Sequence, residues 1–127
     1  MNYVKFVKIR SGYYWLERGE NDTYLLILGK FLTDGTTIPK DWLKDPIVKE
    51  ISGNSYLLKK CEKNLSIEDF FDDEPKMRFV ITINNLLNII EEWEKICKRN
   101  VQNIYLVQNG DDIYFTTDFK QIEKGYS

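Results

Sequence analysis

One stretch of the sequence decides the fold: RFVITINNLLNIIEEWEKICKRN, residues 78–100. Residues 78–81 predict a β-strand, and Thr82 is placed to cap the helix that follows it. Glutamates and lysines occupy one side of that helix, and apolar residues recur on the other with a period of 3.6, at positions 86, 87, 89, 90, 93, 96 and 97. We therefore predict a long amphipathic helix over about 83–99, which Asn100 terminates.

A β-hairpin follows the helix. Residues 103–108 and 112–117 each alternate apolar with polar side chains, as half-buried strands do. They are joined through Asn109-Gly110, a dipeptide that favours the tight turns of two-residue hairpins. The sequence therefore predicts that the chain closes with an antiparallel pair of strands.

The first half of the chain gives weaker signals. Residues 3–10 and 13–16 alternate in strand fashion around Ser11-Gly12, which predicts another hairpin. Residues 23–32, TYLLILGKFL, are nearly continuously apolar, and we interpret them as a strand buried on both faces. Residues 39–44 allow one helical turn, and residues 55–61 predict a strand at an edge or on a solvated face, because two lysines follow one another there.

These elements have no regular βαβ repetition, so they predict an α+β fold. Its expected form is a mainly antiparallel sheet with the 83–99 helix packed on it and the C-terminal hairpin. A chain of 127 residues, 43% apolar, can build one core, so we predict a single domain over residues 1–127.

Composition excludes several kinds of chemistry. The chain has no histidine, which rules out His-dependent triads and HExxH sites. Cys61 and Cys97 stand alone, outside any CxxC or zinc pattern, although a single bridge between them is possible. Phosphate-binding and nucleophile motifs are also missing. We therefore predict no enzyme activity, no catalytic residue, no cofactor and no metal.

The expected compartment is the cytoplasm. The first ten residues, MNYVKFVKIR, alternate charge with apolar residues and lack the apolar run of a secretory signal. No segment approaches the roughly 20 apolar residues of a membrane span. No membrane partner is therefore expected, and two thiols without a signal peptide are typical of reduced cytosolic cysteines.

Two acidic segments are the candidate binding sites. Residues 66–74, SIEDFFDDE, hold five carboxylates and no basic residue, and residues 101–119 are also acidic without Lys or Arg. Such segments can dock a basic partner by electrostatic steering; alternatively, 66–74 is a solvated loop or short helix anchored by its two phenylalanines. The predicted partner-binding residues are Glu68, Asp69, Asp72, Asp73, Glu74, Asp111 and Asp112.

The aromatic segment Tyr13-Tyr14-Trp15 also has two interpretations. Exposed aromatic rings beside basic residues can stack nucleobases. Core packing and cross-strand pairs account for the same side chains, and the net charge of −2 leaves only a weak footprint for nucleic acid. We therefore assign these rings to the core and expect no direct contact with nucleic acid.

The block from 79 to 115 carries a family resemblance. An FVITI strand, a helix NNLLNIIEEWEKICKRN with a Trp in its core face, a short strand, an Asn-Gly turn and a closing strand follow one another. This order resembles the C-terminal half of small immunity proteins of bacterial polymorphic toxin and contact-dependent growth inhibition systems. In those proteins a similar helix carrying EEWE precedes a compact hairpin.

The resemblance implies a cytoplasmic protein that binds the toxic domain of a cognate effector and blocks its active site. The toxin would most often be a nuclease, whose basic cleft suits an acidic inhibitor. No binding residue carries over from the family, so the candidate residues rest on charge alone. The alternatives are another protein-binding inhibitor, either phage-encoded or accessory, a subunit of a larger complex, and a nucleic-acid-binding module.

Overall fold

The computed structural model describes residues 2–17, 23–33, 40–45, 47, 49–52, 56–69 and 78–120. Eight strands and three helices lie within these ranges. In chain order they are β1 (Asn2–Arg10), β2 (Tyr13–Glu17), α1 (Thr23–Leu32), α2 (Lys40–Lys44), β3 (Glu50–Ser52), β4 (Tyr56–Cys61), β5 (Asn64–Asp69), β6 (Arg78–Thr82), α3 (Ile83–Cys97), β7 (Asn103–Asn109) and β8 (Asp112–Thr116).

The strands form two antiparallel sheets of four strands each, which confirms the α+β prediction. The first sheet, named sheet A, has the order β2-β1-β7-β8, and the second, sheet B, has the order β3-β4-β5-β6. Sheet B follows the chain order. Sheet A joins the two hairpins from opposite ends of the chain, because β1 pairs with β7 from Asn2 opposite Gln108 to Val7 opposite Asn103.

The long helix α3 confirms the prediction from its sequence pattern. The hydroxyl of Thr82 accepts a hydrogen bond from the backbone N–H of Asn85 at 3.2 Å, which is the expected N-cap contact. The helix ends at Cys97, two residues before the predicted end, and Asn100 follows with a φ of 54°. A left-handed residue of this kind, often Asn, is common just after a helix.

The C-terminal hairpin is confirmed, with its turn one residue later than predicted. Asn109 lies opposite Asp112, so Gly110 and Asp111 are the two turn residues. Gly110 has a φ of 62°, a conformation that an L side chain rarely adopts. The turn therefore places two adjacent aspartates at the tip of sheet A.

The prediction of a strand at 23–32 is wrong, because this segment forms helix α1. The helix contacts β1 of sheet A and both β5 and β6 of sheet B. Most of its described side chains are buried; Tyr24 and Lys30 are the exposed ones. A helix buried on nearly every side shows no amphipathic period, and a continuous apolar run is then indistinguishable from a buried strand.

A single cluster of buried side chains draws on both sheets and on all three described helices. Trp93 of α3 lies near its centre, with its ring centroid 4.6 Å from that of Phe6 and 5.7 Å from that of Phe115. Lys40 of α2 forms an ion pair with Glu94 of α3 at 2.9 Å. Helix α3 contacts β6 and β8, so it packs on both sheets.

Strand β4 is confirmed, but it is not at an edge, because it lies between β3 and β5; the other predicted alternative, a solvated face, agrees with Lys59, whose side chain is 40% exposed. Its successive lysines have separate structural roles. The ammonium group of Lys60 donates to the backbone carbonyls of Trp42 and Asp45 at the end of α2, and lies 4.2 Å from the Trp42 ring centroid. Burial lowers the pKa of Lys60. The adjacent Lys59 pairs with Glu50 and Glu68 across the sheet.

Within the described ranges, no helix combines the length and the apolar character needed to cross a membrane.

Candidate functional site

A groove of about 390 Å³ lies between helix α3 and the tip of the β7–β8 hairpin. Its walls come from the first three turns of α3 and from the edge strand β8 with its turn. The lining residues are Asn85, Asn88, Ile89, Glu92, Asp111, Asp112, Ile113, Tyr114 and Phe115. We call this feature the acidic groove.

Helix periodicity and the hairpin turn explain how the polar side chains of the acidic groove come together. Asn85, Asn88 and Glu92 are three and four residues apart, so they lie along one stripe of α3. Ile89 is buried beneath this stripe and fixes the helix against the core. Opposite them lie Asp111 in the turn and Asp112 at the start of β8, both exposed.

The charges of the acidic groove have one sign. Three carboxylates line it, and none of its described lining residues is Lys or Arg. A positive charge lies close to one of these carboxylates, since the ammonium of Lys95 is 3.8 Å from Glu92, but both side chains are exposed. An exposed pair of this kind contributes little and is screened by salt. The groove therefore presents a concave negative potential to solvent.

The acidic groove also contains an open sheet edge. Strand β8 is the last strand of sheet A, and no described strand pairs with its outer side. Asn109 and Asp112 form the hydrogen-bonded pair that closes the turn. From this pair onward, non-hydrogen-bonded and hydrogen-bonded pairs alternate along the antiparallel ladder, and residues of the non-hydrogen-bonded pairs point their backbone groups outward. By this alternation, Ile113 and Phe115 direct their backbone N–H and C=O groups away from β7, toward the open edge.

The first acidic segment differs from its predicted arrangement. Residues 66–69 belong to strand β5, and Glu68 is 6% exposed rather than facing water. Its burial has a simple cause, because β5 lies inside sheet B and Glu68 is flanked by Leu57 and Arg78 on the neighbouring strands. Lys59 lies 3.7 Å from one carboxylate oxygen, and the other, Oε2, is buried without a hydrogen-bond partner.

The remaining predicted residues divide between the described and undescribed parts of the chain. Asp69 ends strand β5. The predicted positions Asp72, Asp73 and Glu74 lie outside the described residues, as do the two phenylalanines before them. Glu68 belongs to sheet B, whereas Asp111 and Asp112 belong to the hairpin of sheet A. Of the predicted set, the structure brings together Asp111 and Asp112, and adds Glu92 to them.

Glu92, Asn85 and Asn88 are site residues that the sequence analysis did not select. Their spacing along α3 was visible in the sequence, but a polar stripe on an amphipathic helix is normally just its solvated face. What distinguishes these three is the hairpin opposite them. That neighbour depends on how α3 crosses sheet A, which the local sequence pattern does not specify.

The assignment of the aromatic segment to the core is partly wrong. Tyr14 is buried, and its hydroxyl donates to the carbonyl of Val101 at 2.6 Å. Tyr13 and Trp15 are 59% and 66% exposed on the opposite face of β2. Alternation along a strand sends neighbouring side chains to opposite faces, so three successive aromatic residues cannot all enter one core.

The two cysteines are both free. Cys61 is exposed on sheet B and Cys97 is half-buried on α3, so the possible bridge between them does not form. Burial, together with the negative charge of Glu94, raises the pKa of the Cys97 thiol to about 11. Among the described residues, no group of His, Cys, Asp and Glu is arranged to hold a metal ion.

Comparisons of the chain with protein-family models, with curated proteins and with solved structures give no match.

Proposed function

We propose that this protein acts in the bacterial cytoplasm as an immunity protein, binding and neutralising the toxic domain of a cognate effector. The observation that carries the proposal is the acidic groove, where Glu92, Asp111 and Asp112 face solvent without a basic residue among the lining positions. A concave surface of one charge sign suits a protein partner of the opposite sign.

A nuclease is the toxin class that this electrostatic argument favours. An enzyme that cleaves nucleic acid must attract phosphates, so its cleft is usually lined by Lys and Arg. An acidic inhibitor competes for those cations and accelerates its own association by steering. We infer that the groove covers the basic cleft of the toxin and thereby blocks substrate entry.

Shape and hydrogen bonding support a protein as the partner. Tyr114 is 37% exposed beside the groove, and exposed tyrosines are common anchors of protein interfaces. The open edge of β8 offers backbone donors and acceptors that an extended segment of the partner can pair with. A partner strand on this edge would bring its Lys and Arg side chains within reach of Glu92 and Asp112.

The test is co-expression with the toxic domain encoded immediately upstream, scoring bacterial growth and co-purification. Glu92→Lys and Asp112→Lys should each slow association and reduce its dependence on salt. Glu91→Lys is the matched control, because Glu91 is exposed on the same helix but does not line the groove. We expect this control to slow association less than either groove variant does, because its charge lies outside the contact.

Two outcomes would contradict the proposal. Absence of rescue and of a complex would remove the immunity function and favour another inhibitor or a complex subunit. Rescue with equal kinetics in all three variants would keep the function but exclude the acidic groove as its contact. Asp72→Lys combined with Asp73→Lys would then test the other predicted acidic segment.

A further inference from the structure

The outer face of sheet A, on the side away from the core, exposes two large aromatic rings at its β2 edge. Tyr13 and Trp15 are 59% and 66% exposed, and Ile9 of the adjacent strand is 62% exposed. Trp15 lies opposite Val7 on β1, so its ring rests beside an apolar side chain of that face. Exposed aromatic residues in a contiguous patch normally mark a binding surface.

The same face carries further rings toward its centre. Tyr3 and Phe119 lie in edge-to-face contact with centroids 6.0 Å apart, and Tyr105 contacts both of them. Phe119 is 39% exposed. Tyr3 and Tyr105 belong, with Val107, to a second, smaller cluster apart from the main core. The outer face of sheet A is therefore aromatic across several strands.

One cation of the β1–β2 turn lies directly beside these rings. The guanidinium of Arg10 lies 4.4 Å from the centroid of the Tyr13 ring. Lys8 belongs to the opposite face, because it pairs with the buried Tyr14, and its ammonium donates to the carbonyl of Asn100 at 3.3 Å. The carboxylate of Glu17, two residues from Trp15 on the face of the rings, is paired with Lys5 at 3.5 Å, and no described carboxylate lies within 4.0 Å of Arg10.

We propose that this corner of sheet A binds single-stranded nucleic acid, with bases stacked on Tyr13 and Trp15 and a phosphate held by Arg10. Base stacking on aromatic side chains tolerates any sequence, and a cationic border holds the backbone. An antiparallel four-stranded sheet that presents aromatic rings on one face is a known way to stack two or three bases.

The spacing of the two rings fits this ligand. Tyr13 and Trp15 are two residues apart on β2, so they lie on the same face about 6.5 Å from each other along the strand. That distance is roughly twice the 3.4 Å rise per nucleotide of a stacked strand. Bases that occupy both rings must therefore be unstacked from each other, which a single strand allows and a duplex does not.

This site is separate from the acidic groove and does not depend on the proposed toxin partner. The groove lies beside the first turns of α3, whereas the β1–β2 turn contacts Asn100 after its last turn. In sheet A the β7–β8 tip lies at the Asn2 end of β1, whereas the β1–β2 turn follows the Arg10 end of the same strand. Asp111 and Asp112 would repel phosphates, so we expect the ligand to remain at the β2 side of the sheet. The inference reverses the expectation from sequence, which placed these rings in the core.

The experiment is a fluorescence anisotropy titration of the full chain into labelled oligothymidylate and oligouridylate at low salt. Trp15→Ala and Tyr13→Ala should each weaken binding roughly 5- to 150-fold, as loss of one stacking ring does. Trp15→Phe should retain most of the affinity because the ring remains. Arg10→Glu should lower the slope of log affinity against log salt by about one.

Tyr24→Ala is the matched control, because Tyr24 is 58% exposed on α1, away from sheet A's outer face. It should bind as the wild type does, and circular dichroism should confirm that every variant is folded. No binding at low salt would overturn the proposal. Equal binding by the ring variants and the control, or equal affinity for a duplex, would also overturn it, because phosphate attraction alone would then explain the result. Loss of toxin-domain binding in Trp15→Ala without nucleic-acid binding would identify a protein interface instead.

Discussion

At the scale of single residues, Asn100 links two distant turns. Its left-handed φ of 54° turns the chain away from the end of α3. Its side-chain oxygen accepts hydrogen bonds from the N–H of Gly12 at 2.9 Å and from the hydroxyl of Ser11 at 3.1 Å. Asn tolerates this φ better than most residues and supplies an acceptor that glycine lacks. One side chain therefore sets the helix end and holds the β1–β2 turn, including its cations, beside α3.

The two thiols should differ sharply in reactivity. Cys97 is half-buried, and burial raises its pKa from 9.0 to about 11, so its thiolate fraction near pH 8 falls about 100-fold. Cys61 is exposed. We expect a disulfide reagent at pH 8 to modify one thiol per chain rapidly and the second only slowly. Cys61→Ser should abolish the fast phase, and Cys97→Ser should leave it intact.

Two rapidly modified thiols, or none, would contradict this prediction.

The raised pKa of Cys97 also makes the stability of the fold depend on pH. Because the folded state holds the Cys97 proton more tightly than the unfolded chain does, this contribution is complete below about pH 9 and is lost as the pH rises through about 11.

At the scale of elements, α1 approaches sheet A at a glycine. A Cβ atom at Gly29 would lie 3.1 Å from Leu16 Cδ1 and 3.4 Å from Val4 Cγ2. Gly29→Val should therefore destabilise the fold by roughly 1–3 kcal/mol, since overpacking forces side chains or backbone to move. Tyr24→Val on the exposed side of the same helix should change stability by less than about 0.5 kcal/mol. Denaturant unfolding compares the two variants, and equal midpoints would show that the close approach relaxes without cost.

Elements whose apolar residues follow one clear period were predictable from the sequence. Helix α3, its Thr82 cap and the β7–β8 hairpin follow directly from local patterns. Helix α1 was not predictable, because burial against two sheets removes the polar face that reveals a helix. Strand β5 was obscured by its acidic residues, of which the buried Glu68 is compatible with a sheet because Lys59 lies 3.7 Å from its carboxylate.

The candidate site shows the same division. Asp111 and Asp112 could be selected from the sequence as acidic residues at the tip of a predicted hairpin, since charge and turn chemistry are local properties. The contribution of Glu92 depends on the crossing of α3 over the hairpin, a tertiary relation with no local signal. For the same reason, the exposure of Trp15 followed from strand alternation only once the buried face of β2 was known.

At the scale of the whole molecule, the two sheets share one core although they are built differently. Sheet B forms from strands consecutive in sequence, whereas sheet A needs β1 and β7 to meet across most of the chain. Pairing over such a separation carries a large loop-closure cost, so we infer that sheet A forms after sheet B and α3. The shared cluster then stabilises the two sheets together rather than separately.

This arrangement predicts a single cooperative unfolding transition over both sheets, as expected for one domain. Trp93 reports on the side of sheet A through its contact with Phe6, and Trp42 reports on α2, next to Lys60 of sheet B. Two double variants, each with a single remaining tryptophan, separate these probes. Trp15→Phe with Trp42→Phe leaves Trp93, and Trp15→Phe with Trp93→Phe leaves Trp42. In each variant, fluorescence and far-ultraviolet circular dichroism should give the same denaturant midpoint. A fluorescence midpoint that departs from the circular dichroism midpoint in either variant would mean that one sheet unfolds before the other, and that their shared core does not couple them.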